Sequence, residues 1–549
     1  MNVHQHLDLA NRSSNASGAI MAVGQDVHKE YLLTNVIPEV NARKHRERLC
    51  HIHDLEFYDI TYNCLGIHVC DLVKDSSLRF PQMLRQLHRG IVSLTNYQSG
   101  GIGFINFDAE AAAFLGDETD EELIEAFREF YMDLNMFTRK GCEKPYVTLN
   151  FGLAISPAGR RVTHALLEAF RQGGEKGKPF IFPNLVFKLS QKVNHTETSR
   201  NYDLFQQALS VTASRMIPTY WNCDSPANRT LKAEETGIMG CRTRMGTNIN
   251  GKEGAFNRGN VTCVTLNLVQ MAYHAKGDME AFHQELAENL ADARDLLLHH
   301  FHLLCNQADL SHCFREGYYM GAEQHDNEAM LRNGSLSIGF IGLWDALQVL
   351  HGQTFTSLEA LKTHYGEALS IVRQMRRFTD KATQDQHLNF SLLASAGEGV
   401  TGKFAKYDSE HAGKGNAMSE KDFYTNSFHV PVNIPVSYRA KAELEGLFHA
   451  LCNGGAITYV EFKEMPSRNI AAVQEVIDYA VSQDCNYIGI NFPMDYCADC
   501  GYTGRMGDTC PACTGHHIKR LRRVSGYLAE ENTFADGKKA EMKLRTAHV

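Results

Sequence analysis

The 549-residue sequence lacks the marks of several whole classes of protein. Positive charge is not in excess: 55 Lys and Arg stand against 64 Asp and Glu, a net charge of −9. Nothing general therefore draws the chain to nucleic acid or an acidic membrane. The N-terminus, MNVHQHLDLANRSSN, has no basic segment followed by an apolar one, so it is no secretory signal. The longest apolar stretches, such as SLSIGFIGLW at 335–344, are too short to span a bilayer. No internal repeat or low-complexity segment is present. A disulfide framework is also missing: the 15 cysteines are odd in number and mostly scattered singly. That usage excludes a disulfide-stapled secreted fold and fits reduced thiols in the cytoplasm. Isolated Cys50, Cys142, Cys305 and Cys452 read as small buried apolar residues.

What is present is ordinary in bulk, with 43% hydrophobic and 22% charged residues. The length allows several domains or one large barrel. Amphipathic helices are expected over 120–137 and 279–304. In the first, Leu123, Phe127, Phe130 and Leu134 recur at helical spacing. Strand-like runs fall at 145–153, 178–189, 261–269, 455–462 and 486–492. Several are apolar at nearly every residue, which argues for burial on both faces. Strands alternating with long helices give an α/β architecture; pattern alone leaves sheet and barrel open. Residues 398–422, rich in Gly, Lys and Glu, read as a long surface loop. A composition shift places a boundary near residue 490, separating 1–490 from a cysteine-, glycine- and charge-rich 491–549.

That last segment contains CADCGYTGRMGDTCPACTG, with Cys497, Cys500, Cys510 and Cys513. Two CxxC pairs can present four thiolates tetrahedrally to one zinc ion. The nine-residue gap between the pairs is short but suits a small zinc ribbon. A closed four-thiolate site is structural rather than catalytic. An iron site or a redox pair is the alternative.

Downstream lies RRVSGYLAEE, residues 522–531. Gly526 reads first as a turn or cap residue. A second reading is chemical. Glycine can lose one α-hydrogen to give a backbone radical, shared between the neighbouring amide nitrogen and carbonyl, and only glycine flattens there without a side-chain clash. Such a radical needs an enzyme to install it and a cysteine to relay it to substrate carbon. RVSGYLA resembles the glycyl-radical signature, with Ser525 and Ala529 standing where many members carry Cys and Gly. The lead-in YIGINFPMDYCADCGYTG resembles the zinc ribbon of the anaerobic (class III) ribonucleotide reductases. HIHDLEFYDITYNC (51–64), MGCRTR (239–244), NVTCVTLNL (260–268), RNGSLSIGFIGL (332–343), NFSLLASAGEG (389–399) and YTNSFHVPV (424–432) agree. The resemblance runs from about residue 50 to 549.

The resemblance implies a ten-stranded α/β barrel with a central finger loop, a C-terminal zinc ribbon and a glycyl-radical loop. It makes Gly526 the radical store, installed by a radical-SAM activase carrying an iron–sulfur cluster. Cys241 becomes the thiyl at the finger tip, which takes the 3′-hydrogen of a ribonucleoside triphosphate; the 2′-hydroxyl then leaves as water. Cys64 is the expected second cysteine, with Cys70 as its rival. Asn260 matches an active-site asparagine, and Met239 matches the subgroup that uses formate as reductant. A cytoplasmic homodimer controlled by dNTP effectors is implied. Relatives often carry an N-terminal ATP-cone; with 50 residues before HIHDL, that cone and its dATP shut-off are expected to be missing.

Small residues before the apolar runs, Ser335, Ser337, Gly339, Gly454 and Gly455, are candidates to present backbone N–H groups to substrate phosphate; the alternative is close barrel packing. The HIHDL histidines read as hydrogen-bonded structural groups rather than metal ligands. Two other functions are expected to lose: a different glycyl-radical enzyme, of formate-lyase or dehydratase type, and a zinc-ribbon protein that binds nucleic acid. The second would need a basic face with interleaved aromatics, which the acidic balance disfavours.

Overall fold

The structure, a computed structural model, describes residues 15–138, 143–411 and 420–549. Ten strands form its centre: β1 (Leu65–Ile67), β2 (Ile102–Phe104), β3 (Val147–Phe151), β4 (Asn184–Leu189), β5 (Thr219–Asn222), β6 (Asn260–Asn267), β7 (Ser335–Ile341), β8 (Asn389–Ala394), β9 (Thr458–Glu461) and β10 (Tyr487–Asn491). β1 to β5 pair in parallel in chain order. β6, β7 and β8 do the same, as do β9 and β10. β5 meets β10 antiparallel. Single bridges join the remaining edges: Gly66 of β1 to Arg258 just before β6, and Leu393 of β8 to Gly455 just before β9. The ten strands thus make a closed ring of two parallel halves running in opposite directions.

Helices cover the outside of the ring. Asp120–Leu134, Pro157–Gln172 and Tyr202–Arg215 link β2 through β5; Met279–Gln307 and Tyr365–Gln386 link β6 through β8; Tyr438–Leu451 and Ile470–Ser482 link β8 through β10. Burial of strands on both faces explains their continuous apolar runs: every residue of β3, β4, β6 and β7 is buried. Helix starts follow side-chain chemistry. Thr119 accepts from the Glu122 amide while Glu122 reaches back to the Thr119 amide, satisfying two donors at once.

One expectation is corrected. Residues 398–422 are not a continuous loop, because Val400–His411 is a helix. Val400, Phe404, Ala405 and Asp408 bury one face of it. Its Gly402 permits a backbone contact: a Cβ there would lie 3.0 Å from the Cα of Gly537. Glycine that read as loop is a helix–helix contact. Of the cysteines read as buried, Cys50 and Cys452 are, Cys305 is only half-buried, and Cys142 lies outside the described residues. No helix among the described residues is long and apolar enough to cross a membrane.

Beyond β10 the chain forms a second, four-stranded antiparallel sheet. Thr503–Gly504, Met494–Cys497, Ile518–Arg523 and Leu528–Glu530 lie in that spatial order. The helix Asp536–Leu544 follows, and the chain ends against the barrel.

Candidate active site

The segment between β5 and β6 enters the barrel as a finger. Its ribbon pairs Ile238–Met239 with Thr243–Arg244, leaving Gly240, Cys241 and Arg242 at the tip. Asn150 of β3 grips the ribbon at both polar ends: its amide donates to the Ile238 carbonyl at 2.9 Å and its oxygen accepts from the Ile238 amide at 2.8 Å. Buried Arg242 donates to the carbonyls of Ala394 and Ser395 at 3.1 and 3.2 Å. Buried Arg258 donates to the carbonyls of Gly246, Gly254, Thr247 and Asn333. The finger fits because the barrel wall is missing side chains. A Cβ on Gly103 would lie 2.7 Å from Met239 Cγ, and one on Gly455, whose φ is +132°, would lie 1.9 Å from the Arg242 carbonyl oxygen.

A second loop meets the finger tip from the C-terminal side. Residues 524–527 turn between the strands Ile518–Arg523 and Leu528–Glu530, with Val524 N–H donating to the Tyr527 carbonyl. Gly526 is at that turn and buried. Its φ is not in the left-handed region, so backbone conformation does not demand glycine. Space does: a Cβ would lie 2.3 Å from the Cys241 carbonyl oxygen and 2.4 Å from the Cys241 Cα. The loop is tied on both sides of the glycine. Glu398 accepts from Ser525 Oγ at 3.1 Å and from Tyr527 Oη at 2.9 Å. Tyr459 Oη donates to the Ser525 carbonyl. Arg523 donates to the Gly526 carbonyl, to Asn491 Oδ1 and to the Met216 carbonyl.

Cys241 is half-buried. Tyr146 Oη donates to its Sγ at 3.2 Å, and Ser525 Oγ stands 3.9 Å away. Burial, helped by the nearby Glu398 charge, pushes the Cys241 thiol up. The thiol opens into a cavity of about 180 Å³ that Cys64, Cys263, Asn260, Tyr146, Glu398 and Tyr527 also line. Cys64 lies beside the tip: a Cβ on Gly240 would be 3.6 Å from its Sγ. Its thiol donates to Asn63 Oδ1 at 2.6 Å and accepts from the Gly101 amide at 3.3 Å. Burial pushes its pKa up to about 12. Raised thiols stay protonated at neutral pH and are poor nucleophiles; they are equipped instead to give up a hydrogen atom. The log of the Cys64 alkylation rate by iodoacetamide is therefore expected to rise with unit slope from pH 7 to at least 10. A plateau below pH 9 in peptide mass spectrometry would contradict that burial effect.

The structure separates the residues singled out in the sequence. Cys64 faces the cavity, whereas Cys70 lies exposed on the turn Val69–Leu72, off any strand. Asn260, at the start of β6, donates from its amide to Thr262, Ser335 and Ser337. Met239 does not line the cavity; it packs in one cluster with Cys64, Ile105, Met245 and Ala255. Ser335, Ser337 and Gly339 lie inside β7, in ladder register with β6 and β8 rather than at a helix start. Gly339 is a close-packing position, since a Cβ would lie 2.0 Å from Ser395 Oγ. Gly454 and Gly455 donate their amides to the Leu392 and Cys452 carbonyls. In the HIHDL stretch, His53 bonds Thr265 Oγ1 at 2.7 Å and His51 is packed between His45 and His53. Tyr146, Glu398, Tyr459 and Cys263 were not singled out by sequence. Only Glu398, in the NFSLLASAGEG stretch, and Cys263, in NVTCVTLNL, stand in segments that offered a signal.

The four C-terminal cysteines do converge. Sγ atoms of Cys497 and Cys513 are 3.6 Å apart, as are those of Cys500 and Cys510, and all four lie within 4.8 Å of one another. Tetrahedral ligands at a zinc–sulfur distance of about 2.3 Å stand about 3.8 Å apart. The donor set and its spacing are thus compatible with structural zinc.

The last residues hold the loop down. Thr546 N–H donates to the Val432 carbonyl and His548 N–H to the Glu461 carbonyl. Inside this clasp buried Glu541 bonds buried Lys538 at 2.7 Å and half-buried Arg545 at 2.8 Å, while Arg545 also donates to the Arg523 carbonyl and faces Glu461 at 3.4 Å. Burial alone would raise the Glu541 carboxyl, but Lys538 and Arg545 together hold it down to about 2. Its contribution to stability is full above its unfolded value near 4.5 and fades as pH falls toward 2. Glu541→Gln takes its ion-pair partner from buried Lys538 and leaves Arg545 only Glu461, 3.4 Å away, at a cost of about 3–5 kcal/mol. The variant is expected to lose its C-terminal segment to limited trypsin at neutral pH, where the parent keeps it; equal resistance would show the clasp does not depend on this charge.

Sequence comparison points to one family, while the fold is shared more widely: the B12-independent glycerol dehydratase from Clostridium butyricum matches with a TM-score of 0.58 over 97% of this chain and 73% of that one, at 12% identity. A family model, anaerobic ribonucleoside-triphosphate reductase, matches residues 8–548. The anaerobic ribonucleoside-triphosphate reductase of Salmonella typhimurium is 28% identical, over 98% of this chain and 83% of that protein. The protein of the same name from Enterobacteria phage T4 is 25% identical, over 98% of this chain and 97% of that one. The crystal structure of the anaerobic ribonucleotide reductase from Thermotoga maritima in complex with dATP and CTP superposes with a TM-score of 0.73. It covers 97% of this chain and 92% of that one at 16% identity.

Proposed function

Because the chain belongs to the anaerobic ribonucleoside-triphosphate reductase family, we propose that Gly526 and Cys241 form its radical pair and that the cavity beside them takes the ribose of a ribonucleoside triphosphate. One observation carries this reading: the Gly526 backbone lies directly against the Cys241 backbone, with no room for a Cβ between them. A radical on Gly526 supplies the oxidising equivalent. Cys241 returns one hydrogen atom to Gly526 and takes the 3′-hydrogen of the sugar. Cys64, kept protonated by its burial, supplies a proton and an electron as the 2′-hydroxyl leaves as water. Asn260, anchored by Ser335 and Ser337, orients the sugar. Cys241 finally gives the 3′-hydrogen back.

The reductant we assign is formate, oxidised to carbon dioxide. The sequence match at Met239 supports this; outside the cavity lining, Met239 would act by packing in the cluster that holds Cys64. Zinc held by Cys497, Cys500, Cys510 and Cys513 would brace residues 491–549, the radical-bearing unit. A radical-SAM activase is the required partner. Homodimerisation is implied by the family resemblance alone; nucleotide effectors are supported by likeness to the Thermotoga maritima enzyme seen with dATP and CTP.

The direct test is EPR after anaerobic activation. Gly526→Ala alone is a poor control, because its Cβ would displace the finger tip. Protein labelled with [2-¹³C]glycine is the better probe. The expected signal is a doublet that gains a ¹³C splitting on labelling. A spectrum unchanged by the label would place the radical elsewhere and sink the assignment.

A further inference from the structure

We propose that His351, His364 and Glu367 form a second metal site, distinct from the four-cysteine cluster, that binds a divalent zinc-like cation. The three residues sit on the outer layer of the barrel, in the crossover from β7 to β8. His351 closes the helix Leu343–Leu350, and His364 immediately precedes the helix Tyr365–Gln386, whose first turn carries Glu367. Their donor atoms converge on one point. His351 Nε2 is 2.7 Å and His364 Nδ1 is 3.0 Å from the same carboxylate oxygen, Glu367 Oε2. Among the described residues only this trio and the four cysteines bring three or more such atoms within 4.8 Å of one another.

Chemistry favours a metal at that point. Two imidazoles and a carboxylate are a recurring zinc ligand set, one that leaves a fourth position open to water. The site has the other parts such a centre needs. His364 is buried and its ring stacks on Phe355 at 4.8 Å and 9°, which fixes its orientation. Its second nitrogen, Nε2, lies 2.9 Å from the Gln353 side-chain amide. With that amide turned to offer its oxygen, Nε2 donates to it and Nδ1 is left free to ligate. His351 is exposed, so an ion can enter from solvent. The two rings stand 4.1 Å apart, close enough for each to present a nitrogen to the same carboxylate oxygen. Ligation would draw Glu367 back slightly from the two nitrogens, a movement its half-exposed side chain allows.

A cation here would staple the 352–364 connection between two helices of one βαβ unit. It has no part in the radical chemistry, so activity is not its readout. The test is zinc stoichiometry on the full chain, equilibrated anaerobically with buffered zinc and measured by elemental mass spectrometry. Parent protein is expected to hold two zinc ions. Cys500→Ser should lose one and keep the other; Glu367→Gln and His351→Ala should each lose the other. Cobalt gives an independent signature: thiolate charge-transfer absorption from the cysteine site, and only weak d–d bands from this one, absent in Glu367→Gln. Both substituted side chains are partly exposed, so folding should survive, checked by an unchanged circular dichroism spectrum. One zinc in the parent, or two retained in Glu367→Gln and His351→Ala, would overturn the proposal.

Discussion

Cys241→Ala is expected to keep the glycine radical and lose turnover. The two effects separate because different atoms of Cys241 do different things. Its carbonyl oxygen and Cα are what Gly526 packs against, and alanine retains both. Arg242 still holds the tip through the carbonyls of Ala394 and Ser395. Only Sγ goes, with the hydrogen bond from Tyr146. A side chain that makes and breaks bonds to substrate typically accounts for about 10⁴-fold or more in rate, so nucleotide reduction should fall by at least that much. The EPR doublet should survive at near-parent yield and decay no faster with nucleotide present. Substantial turnover would show that the relay runs through another residue, Cys64 being the next thiol in the cavity. Loss of the doublet would show that Sγ is needed to store the radical, not just to use it.

How far the sequence reached depends on the range of the interactions involved. Long strands buried on both faces, such as β4 and β6, announce themselves by continuous apolar residues, and long helices by their period. β1, β2 and β5 have three or four residues each, too few for a pattern, and they exist because neighbours pair with them. The four zinc-type cysteines were legible because their spacing is local. The meeting of Gly526 with Cys241 could be expected only through resemblance, since 285 positions separate them and no local rule links them. Glu398 escaped for the same reason. Its carboxylate acquires meaning only when the chain brings Ser525 and Tyr527 to it. The glycine at 402 shows the opposite error. It is a sound loop signal locally, yet it serves a helix contact with Gly537 that forms only in the folded chain. The turn reading of Gly526 had the right place and the wrong cause: it sits in a turn, but what forbids a side chain is the neighbouring Cys241 backbone.

Air exposure of the activated protein is expected to cut the chain at Gly526, because oxygen adds to a carbon radical and the adduct breaks the backbone. The released peptide, residues 527–549, should not leave. It includes the strand Leu528–Glu530, paired with Ile518–Arg523, and the clasp of Glu541 with Lys538 and Arg545. It also keeps Tyr527 bonded to Glu398. Native mass spectrometry should therefore show an unchanged mass apart from added oxygen, while denaturation should split it into a large fragment and the short C-terminal one. Glu541→Gln should change only the first result. With the clasp weakened, the peptide should dissociate without denaturant, and the cut should also come faster if the clasp limits oxygen's access to Gly526. A chain that stays whole under denaturing conditions after oxygen would remove the stored radical from Gly526. A peptide that leaves at once from the parent would mean that neither the clasp nor the strand Leu528–Glu530 holds it once the backbone is cut.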